Sequence, residues 1–305
     1  MQLKKLFQKL YSRLWMTFVI SSDVDAFSQE KIVKVIANAA DPFLYRGCLF
    51  YESISPAILN GSIWVDCLDG KPAYPLLVNP KHNLSFPRVT RLLNNSILTY
   101  ECANVPGLNF KILDYLPNHK YSVSDPSPEL QSLFSNVSRC SIVDPVLYQN
   151  GDDYFLIFTV STSCSELHVY RYNPNISSIF THYASYKSPL NSLRSAGLSL
   201  YHENEFTLYH LCQTSTHHYG DGLVLLTLTD RPVQSIDKIT SFRLNAPLIG
   251  PHTFSSEDTL FAIDASRLTF SPSGLKHKFT KILSDRPYRR SVLQLLLRSI
   301  RASAN

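Results

Sequence analysis

The 305-residue sequence predicts an all-β protein, namely a five-bladed β-propeller with short basic helical tails. Five segments each consist of a short apolar strand, a polar turn and a second strand rich in Tyr, Phe, Leu and Ile, which is the pattern of a β-hairpin. Successive segments start between 45 and 58 residues apart, a repeat length that suits a four-stranded blade. An all-β sandwich with several similar hairpins is the alternative that this pattern leaves open.

The five hairpins follow one another along the chain, and each has its own turn sequence. The first, DPFLYRGCLFYE at 41–52, turns at Arg-Gly and carries an acid at both ends. The others turn at LNN, NGDD, HENE and SSED, which are rich in turn-forming residues, and they occupy 86–101, 144–159, 196–213 and 251–264. One hairpin per blade predicts five blades.

Composition agrees with one large domain. Hydrophobic residues make up 44% of the chain and charged residues 17%, so a sizeable core is available and a disordered chain is not expected. Neither a Gly/Ser linker nor a low-complexity tract divides the sequence. We therefore expect the propeller at 15–275, between a basic N-terminal segment at 1–14 and a basic amphipathic helix or tail at 276–305.

The net charge of +5 comes from the two ends of the chain. Four Lys or Arg and no acid lie in 1–14, and eight Lys or Arg against one acid lie in 275–305, so the body is net acidic and a nucleic-acid partner is not expected. In RPYRRSVLQLLLRSIRA at 286–302, apolar residues recur on one helical face beside arginines, as in helices that lie on an anionic membrane. A helix packed on its own propeller, or on a partner protein, fits the same pattern.

Cysteine spacing and the N-terminal sequence indicate the cellular compartment in which the protein is expected. The six cysteines form no C-x-x-C pair and match no zinc site, so we expect free thiols, no metal and no cofactor. The apolar run LWMTFVI at 14–20 is too short for the core of a signal sequence or for a membrane span. These features favour the cytoplasm, with peripheral attachment to the inner face of the membrane through the tails.

Five pairs of short motifs in the blades resemble one known domain family. They are ADPFLY with FYE, LSFPRV with LTYE, VDPVLY with ELHVYRY, RSAG with LCQTSTHHYG, and PHTF with FAID, in that order between about residues 38 and 265. They are similar to the five-bladed propeller domain at the N-terminus of the plant glucosamine inositolphosphorylceramide transferase, a domain that bacterial polysaccharide-cluster proteins also carry. More distantly, they resemble the five-bladed glycoside hydrolase clan of arabinanases and xylosidases.

The first strand of each propeller blade lines the central axis, so polar residues at the start of these strands are expected to meet at one mouth of the channel. The candidates at or next to that position are Asp41, Asp144, Arg194 and His252. Those at the ends of second strands, which can reach the same mouth, are Glu52, Glu101 and Gln213. Carboxylates and amides pair with vicinal hydroxyl groups and Arg binds phosphate or carboxylate, so the expected ligand is a sugar, nucleotide-sugar or lipid-linked sugar.

The resemblance implies catalytic roles for three of these residues. In the related hydrolases a blade-one Asp is the base and a blade-three Asp modulates acidity, and these correspond to Asp41 and Asp144. The acid of that family, a Glu near the start of blade four, is missing because this strand begins RSAG with Arg194; Glu101 on blade two is the candidate replacement. The substrate-binding candidates are then Glu52, Arg194, Gln213 and His252.

Each candidate also has a purely structural interpretation. Asp41 and Asp144, each followed by Pro, can cap a turn, and Glu52 can be a solvated acid at the end of a strand. Arg194 can form a structural ion pair with Asp144 or Asp41, and His252 can hold a water or a cation.

We expect a carbohydrate-active protein of cell-surface glycan or glycolipid biosynthesis, and a glycosyltransferase-like enzyme in the first place. Two alternatives are a non-catalytic scaffold that presents a glycan to a polysaccharide-assembly enzyme, and a glycoside hydrolase. The missing blade-four acid counts against hydrolysis, and the fold alone does not decide among the three.

Overall fold

The computed structural model contains five four-stranded antiparallel sheets, arranged as a five-bladed β-propeller, which confirms the predicted fold class. It describes residues 12–21, 31–54, 60–117, 120–161, 163–187, 194–202, 207–214, 220, 222–229, 235–242 and 248–269. Contacts group Trp15–Ser266 into one compact unit and the two chain ends into another. The predicted C-terminal helix and most of the basic N-terminal segment lie outside the described residues.

Four blades each consist of four consecutive strands. Blade one contains β3 (Ala39–Tyr45), β4 (Cys48–Ile54), β5 (Gly61–Asp66) and β6 (Tyr74–Leu77). Blade two contains β7 (Leu84–Leu92), β8 (Asn95–Cys102), β9 (Asn109–Tyr115) and β10 (Tyr121–Ser124). Blade three contains β11 (Ile142–Asn150), β12 (Asp153–Val160), β13 (Ser163–Tyr172) and β14 (Thr181–Lys187), and blade four contains β15 (Arg194–His202), β16 (Thr207–Thr214), β17 (Gly222–Thr229) and β18 (Ser235–Phe242).

The fifth blade joins the two ends of the propeller sequence. Its strand order is β19 (Phe254–Glu257), β20 (Leu260–Thr269), β1 (Ser12–Ser21) and β2 (Lys31–Ala37). The hairpin predicted at 251–264 thus supplies the two inner strands, and N-terminal residues supply the two outer ones. Because β1 begins at Ser12, the last three residues of the predicted basic segment 1–14 belong to a strand.

The first strands of the five blades surround one axis. β3 contacts β7, β7 contacts β11, β11 contacts β15, β15 contacts β19, and β19 contacts β3 again, so the circle is closed. This arrangement places residues from five distant parts of the sequence next to one another.

A β-bulge interrupts the first strand in each of blades one to four. The register shifts after Ala40, Ser85, Val143 and Ser195, at the sequences Asp-Pro, Phe-Pro, Asp-Pro and Ala-Gly. Each bulge contains one residue with positive φ. From blade one to blade four, these are Asp41 (53°), Phe86 (54°), Asp144 (46°) and Gly197 (140°). Bulges commonly redirect a side chain next to a functional site, and here they turn the chain at the axis.

The hydrophobic core is divided into clusters that lie between neighbouring blades. Phe50, Leu84 and Leu98 join blades one and two, and Leu156 and Phe158 pack with residues of blade two. The short helix α1 (Pro128–Ser132) fills the space between blades two and three, and the Ser127 hydroxyl accepts a hydrogen bond from the N–H of Leu130 at its start. Among the described residues, no helix has the length and apolar character needed to cross a membrane.

Burial of His210 predicts a loss of stability in acid. This residue of β16 is fully enclosed, its Nε2 lies 3.1 Å from the Ser195 hydroxyl, and burial lowers its pKa to about 3. Below pH 6.5 the unfolded chain takes up a proton at this position and the folded protein does not, so the free energy of unfolding falls by up to about 1.4 kcal/mol per pH unit down to pH 3. Urea unfolding of His210→Gln at several pH values should show a weaker acid dependence, whereas the exposed control His182→Gln should follow the wild type.

Candidate functional site

Main-chain amides at the bulges connect neighbouring blades through carboxylates. The N–H of Asp41 donates to Asp264 Oδ2 of blade five at 3.0 Å, and the N–H of Phe86 donates to Asp41 Oδ2 at 3.1 Å. The N–H of Asp144 donates to Glu101 Oε2 of blade two at 3.3 Å. In each case a bulge amide binds an acid of the preceding blade, which fixes the acids around the axis.

Asp41, His252 and Asp264 form the first of two polar clusters. Nδ1 of His252 lies 3.2 Å from Asp41 Oδ1 and 3.1 Å from Asp264 Oδ2, so one ring N–H faces two carboxylates. The other oxygen of Asp264 accepts hydrogen bonds from the N–H and hydroxyl of Thr253, at 2.6 and 3.1 Å. The imidazole packs against the Trp15 ring at 4.8 Å, and the three charged or polar members are all buried.

The surroundings of Asp41 keep its carboxylate ionised. Burial alone would raise the pKa of Asp41, but the hydrogen bond and charge of His252, together with Arg88 and Arg194, hold that pKa below its ordinary value. Asp41 therefore carries a negative charge at neutral pH although only 4% of the residue is exposed.

Glu52, at the other end of the first hairpin, contacts Asp41 directly. Burial and the neighbouring charge of Asp41 raise the pKa of Glu52 well above its ordinary value, so this carboxyl group keeps a proton. Gly61 on β5 leaves the space that this side chain fills, because a Cβ there would lie 2.1 Å from Glu52 Oε1. The acids at the two ends of DPFLYRGCLFYE thus form one pair, in which Asp41 is charged and Glu52 is neutral.

Glu52→Gln should stabilise the protein more as the pH rises from 4.5 towards 7. Over this range the glutamate ionises in the unfolded chain while it stays protonated in the folded protein, so the wild type loses up to about 1.4 kcal/mol per pH unit until the raised folded pKa is reached. The neutral amide removes that loss. Urea unfolding at several pH values checks this, with the exposed turn variant Asp152→Asn as the control; parallel profiles for Glu52→Gln and the wild type would contradict it.

Arg194 is the centre of the second cluster. Its Nη2 donates to Glu101 Oε2 and to Asp144 Oδ1, both at 2.8 Å, and its Nε lies 2.7 Å from Asp144 Oδ2. Nε2 of Gln213 donates to the same Asp144 oxygen at 2.8 Å. Arg194 and Glu101 each have 18% of the side chain exposed, against 3% for Asp144, so these two residues face solvent and Asp144 lies beneath them.

Two carboxyl groups share one guanidinium in this second cluster. Burial and the negative charges of Glu101 and Asp41 raise the pKa of Asp144 well above its ordinary value, although Arg194 opposes the shift. The side chains of Asp144 and Glu101 are also hydrogen-bonded to each other. Asp144 therefore keeps a proton at neutral pH and is hydrogen-bonded to Glu101.

The structure places all seven sequence-predicted residues in these two clusters or in contact with them. Asp41 and His252 belong to the first, and Glu52 contacts it through Asp41. The second contains Arg194 with its partners Glu101 and Asp144, and Gln213, which donates to Asp144. Asp41 is linked to the second cluster by charge, since it raises the pKa of Asp144 and is itself influenced by Arg194.

Sequence reasoning missed Asp264 and Arg88 as members of the site. Arg88 is 3% exposed, stacks 3.8 Å above the Phe86 ring and donates to the carbonyls of Pro87 and Asp41, at 2.7 and 3.5 Å. Both residues stand inside quoted motifs, FPRV and FAID. A charged residue within an otherwise apolar inner strand is the signal that could have identified them.

Asp41, His252 and Asp264 could also hold a metal ion, because one ligand atom of each lies within 4.8 Å of the others. In this structure His252 Nδ1 lies between the two carboxylates, so the same atoms also contact one another. The sequence-based expectation of no metal stays a prediction, and the adjacent His217 and His218 lie outside the described residues.

No protein-family model and no curated protein sequence matches this chain. Its fold is similar to the catalytic domain of a GH62 α-L-arabinofuranosidase from Coprinopsis cinerea, with a TM-score of 0.50 and 11% identity over 86% of this chain and 98% of that one. It is also similar to the GH32 β-fructofuranosidase BmSUC1 of Bombyx mori (TM-score 0.47, 11% identity, 77% and 56% coverage) and to a thermostable family-43 glycoside hydrolase (0.43, 10%, 78% and 92%). At these identities the similarity establishes the fold alone.

Proposed function

We propose that this protein is carbohydrate-active and acts as a glycoside hydrolase at the axial clusters. The observation that carries the proposal is the contrast between an ionised carboxylate, Asp41 of blade one, and the proton-holding Asp144 of blade three, which is hydrogen-bonded to Glu101 of blade two. Glycoside hydrolysis needs these two states side by side, one carboxyl group to protonate the leaving oxygen and one carboxylate to act as base or nucleophile. Such acid and base roles typically belong to two carboxyl groups whose different environments push their pKa values apart.

Each axial residue has a place in this chemistry. Glu101 is the exposed member of its pair, so it delivers the proton to the glycosidic oxygen, and Arg194, Asp144 and Gln213 position it. Asp41 accepts a proton from the attacking water. Glu52 contacts Asp41 directly and leaves no room for a sugar between them, so its role is to adjust the charge of Asp41.

Hydrolysis is preferred over the glycosyltransferase that the sequence resemblance favours. Arg194 already contacts the side chains of Glu101 and Asp144. It should therefore bind the phosphate of a nucleotide-sugar more weakly than an arginine without acidic neighbours would. The name of the structural neighbour with a TM-score of 0.50, an α-L-arabinofuranosidase, supports the same choice. Glu101 takes the role of the acid that the related hydrolases carry on blade four.

A substrate screen tests the proposal. The purified protein is incubated with aryl glycosides, beginning with α-L-arabinofuranosides, and with polysaccharides, and the release of phenol or reducing sugar is measured. We expect hydrolysis of at least one class, lost in Glu101→Gln and retained in the exposed turn variant Asp152→Asn. Transfer of sugar from a nucleotide-sugar to an acceptor without hydrolysis would favour the glycosyltransferase. Sugar binding that Glu101→Gln leaves unchanged, with no turnover, would favour the scaffold.

A further inference from the structure

We propose that Cys48 and Cys67 of blade one form a reversible disulfide when the protein meets a peroxide. The site is separate from the axial clusters, because Cys48 begins β4 and Glu52 lies four residues further along the same strand, about 13 Å away at 3.3 Å per residue. The proposal therefore does not depend on hydrolysis.

Strand register brings the two thiols together. β4 and β5 are antiparallel with Leu49 opposite Asp66, so the next pair outward is Cys48 opposite Cys67. Directly opposite residues in such a sheet have Cα atoms about 4.5–5.5 Å apart, within the range of about 4.4–6.8 Å that a disulfide requires. The thiols are in hydrogen-bond contact, both are free, and both pack in the same apolar cluster.

The other described cysteines are placed differently. Cys102 ends β8 of blade two, Cys140 precedes β11 of blade three, and Cys212 lies within β16 of blade four. Among the five cysteines whose side chains the structure describes, Cys48 and Cys67 are thus the two that share one blade, where Cys48 at the start of β4 lies opposite Cys67 just after β5.

The two thiols differ in how readily an oxidant reaches them. Cys67 is half-buried, whereas Cys48 is 5% exposed and burial, with the nearby thiol of Cys67, raises its pKa. The sulfur of Cys67 therefore attacks hydrogen peroxide first; the O–O bond breaks, the thiol becomes a sulfenic acid and one water is released. The sulfur of Cys48 then displaces the hydroxyl group, which leaves as a second water with the Cys48 proton. In sum, two thiols and one hydrogen peroxide give one disulfide and two waters, so the peroxide gains the two electrons that the sulfurs lose.

Mass spectrometry of the full chain tests the proposal. Reduced protein is treated with hydrogen peroxide, remaining thiols are alkylated, and the product is cut with a protease specific for glutamate, which cleaves at Glu52 between the two cysteines. We expect a pair of peptides joined through Cys48 and Cys67 that separates on reduction. Before alkylation and digestion, the oxidised full-length protein should be about 2 Da lighter than the reduced protein.

Three variants make the test decisive. In Cys48→Ser the sulfenic acid at Cys67 should persist and be trapped by a 1,3-diketone, and Cys67→Ser should form no linked peptide. Cys140→Ser, which removes a thiol that is half-buried like Cys67, should leave the linked peptide unchanged. Oxidation of Cys67 in the wild type without a link to Cys48, or a link from Cys67 to another cysteine, would overturn the proposal.

Discussion

Asp41→Asn is expected to abolish the proposed hydrolysis, with kcat lowered by roughly 10²–10⁴-fold while the protein stays folded. The amide keeps the size of the side chain and can still accept the hydrogen bond from the N–H of Phe86. It removes the negative charge that accepts a proton from water. Steady-state kinetics on a substrate found by the screen, with far-ultraviolet circular dichroism to follow folding, measures both effects.

The matched control for Asp41→Asn is Glu52→Gln, which alters the neutral member of the same carboxyl pair. Because Glu52 carries a proton already, its amide should change kcat far less than Asp41→Asn does. The assignment of Asp41 as base is wrong if Asp41→Asn retains wild-type kcat, or if the two variants lose activity equally.

Arg194→Ala is expected to destabilise the protein by about 3–5 kcal/mol, because it leaves buried carboxyl groups without their cation. Arg194 contacts Asp144 through two nitrogens and Glu101 through one, and Asp144 is almost fully enclosed. Urea unfolding of the variant and of the wild type at neutral pH measures the loss.

Arg171→Ala is the control for an ion pair near the surface. Its Nη2 lies 2.7 Å from Asp153 Oδ2, but 37% and 21% of the two side chains are exposed, so we expect a loss below about 1 kcal/mol. Similar losses for Arg171→Ala and Arg194→Ala would show that Arg194 has no special structural role.

The sequence was sufficient to predict the five blades because each inner hairpin carries local signals. The turn residues and alternating apolar positions of DPFLYRGCLFYE, for example, specify the hairpin β3–β4 without reference to the rest of the chain. The outer strands of blade five were harder, since β1 pairs with β20, more than 200 residues away. LWMTFVI has no turn or repeat beside it that would indicate this partner.

The axial residues were predictable as a set, but their pairing was not. Repeat position brings Asp41, Asp144 and His252 to one axis, whereas the bulges at Asp-Pro decide which neighbour each of them meets. Arg194 forms its ion pairs with Asp144 and Glu101 because of side-chain geometry that no sequence pattern encodes. The burial of Arg88 likewise depends on the stacking of its guanidinium on Phe86, a contact created by the bulge itself.

The central claim is that the axial clusters bind and cleave a sugar, and a crystal structure of Asp41→Asn soaked with a cleavable oligosaccharide tests it most directly. We expect the intact sugar at the axial mouth, with its glycosidic oxygen within hydrogen-bond reach of Glu101 and a water beside residue 41. A sugar bound elsewhere on the propeller, or an axial mouth that stays closed over Arg194 and Glu101 in the presence of saturating oligosaccharide, would contradict the account.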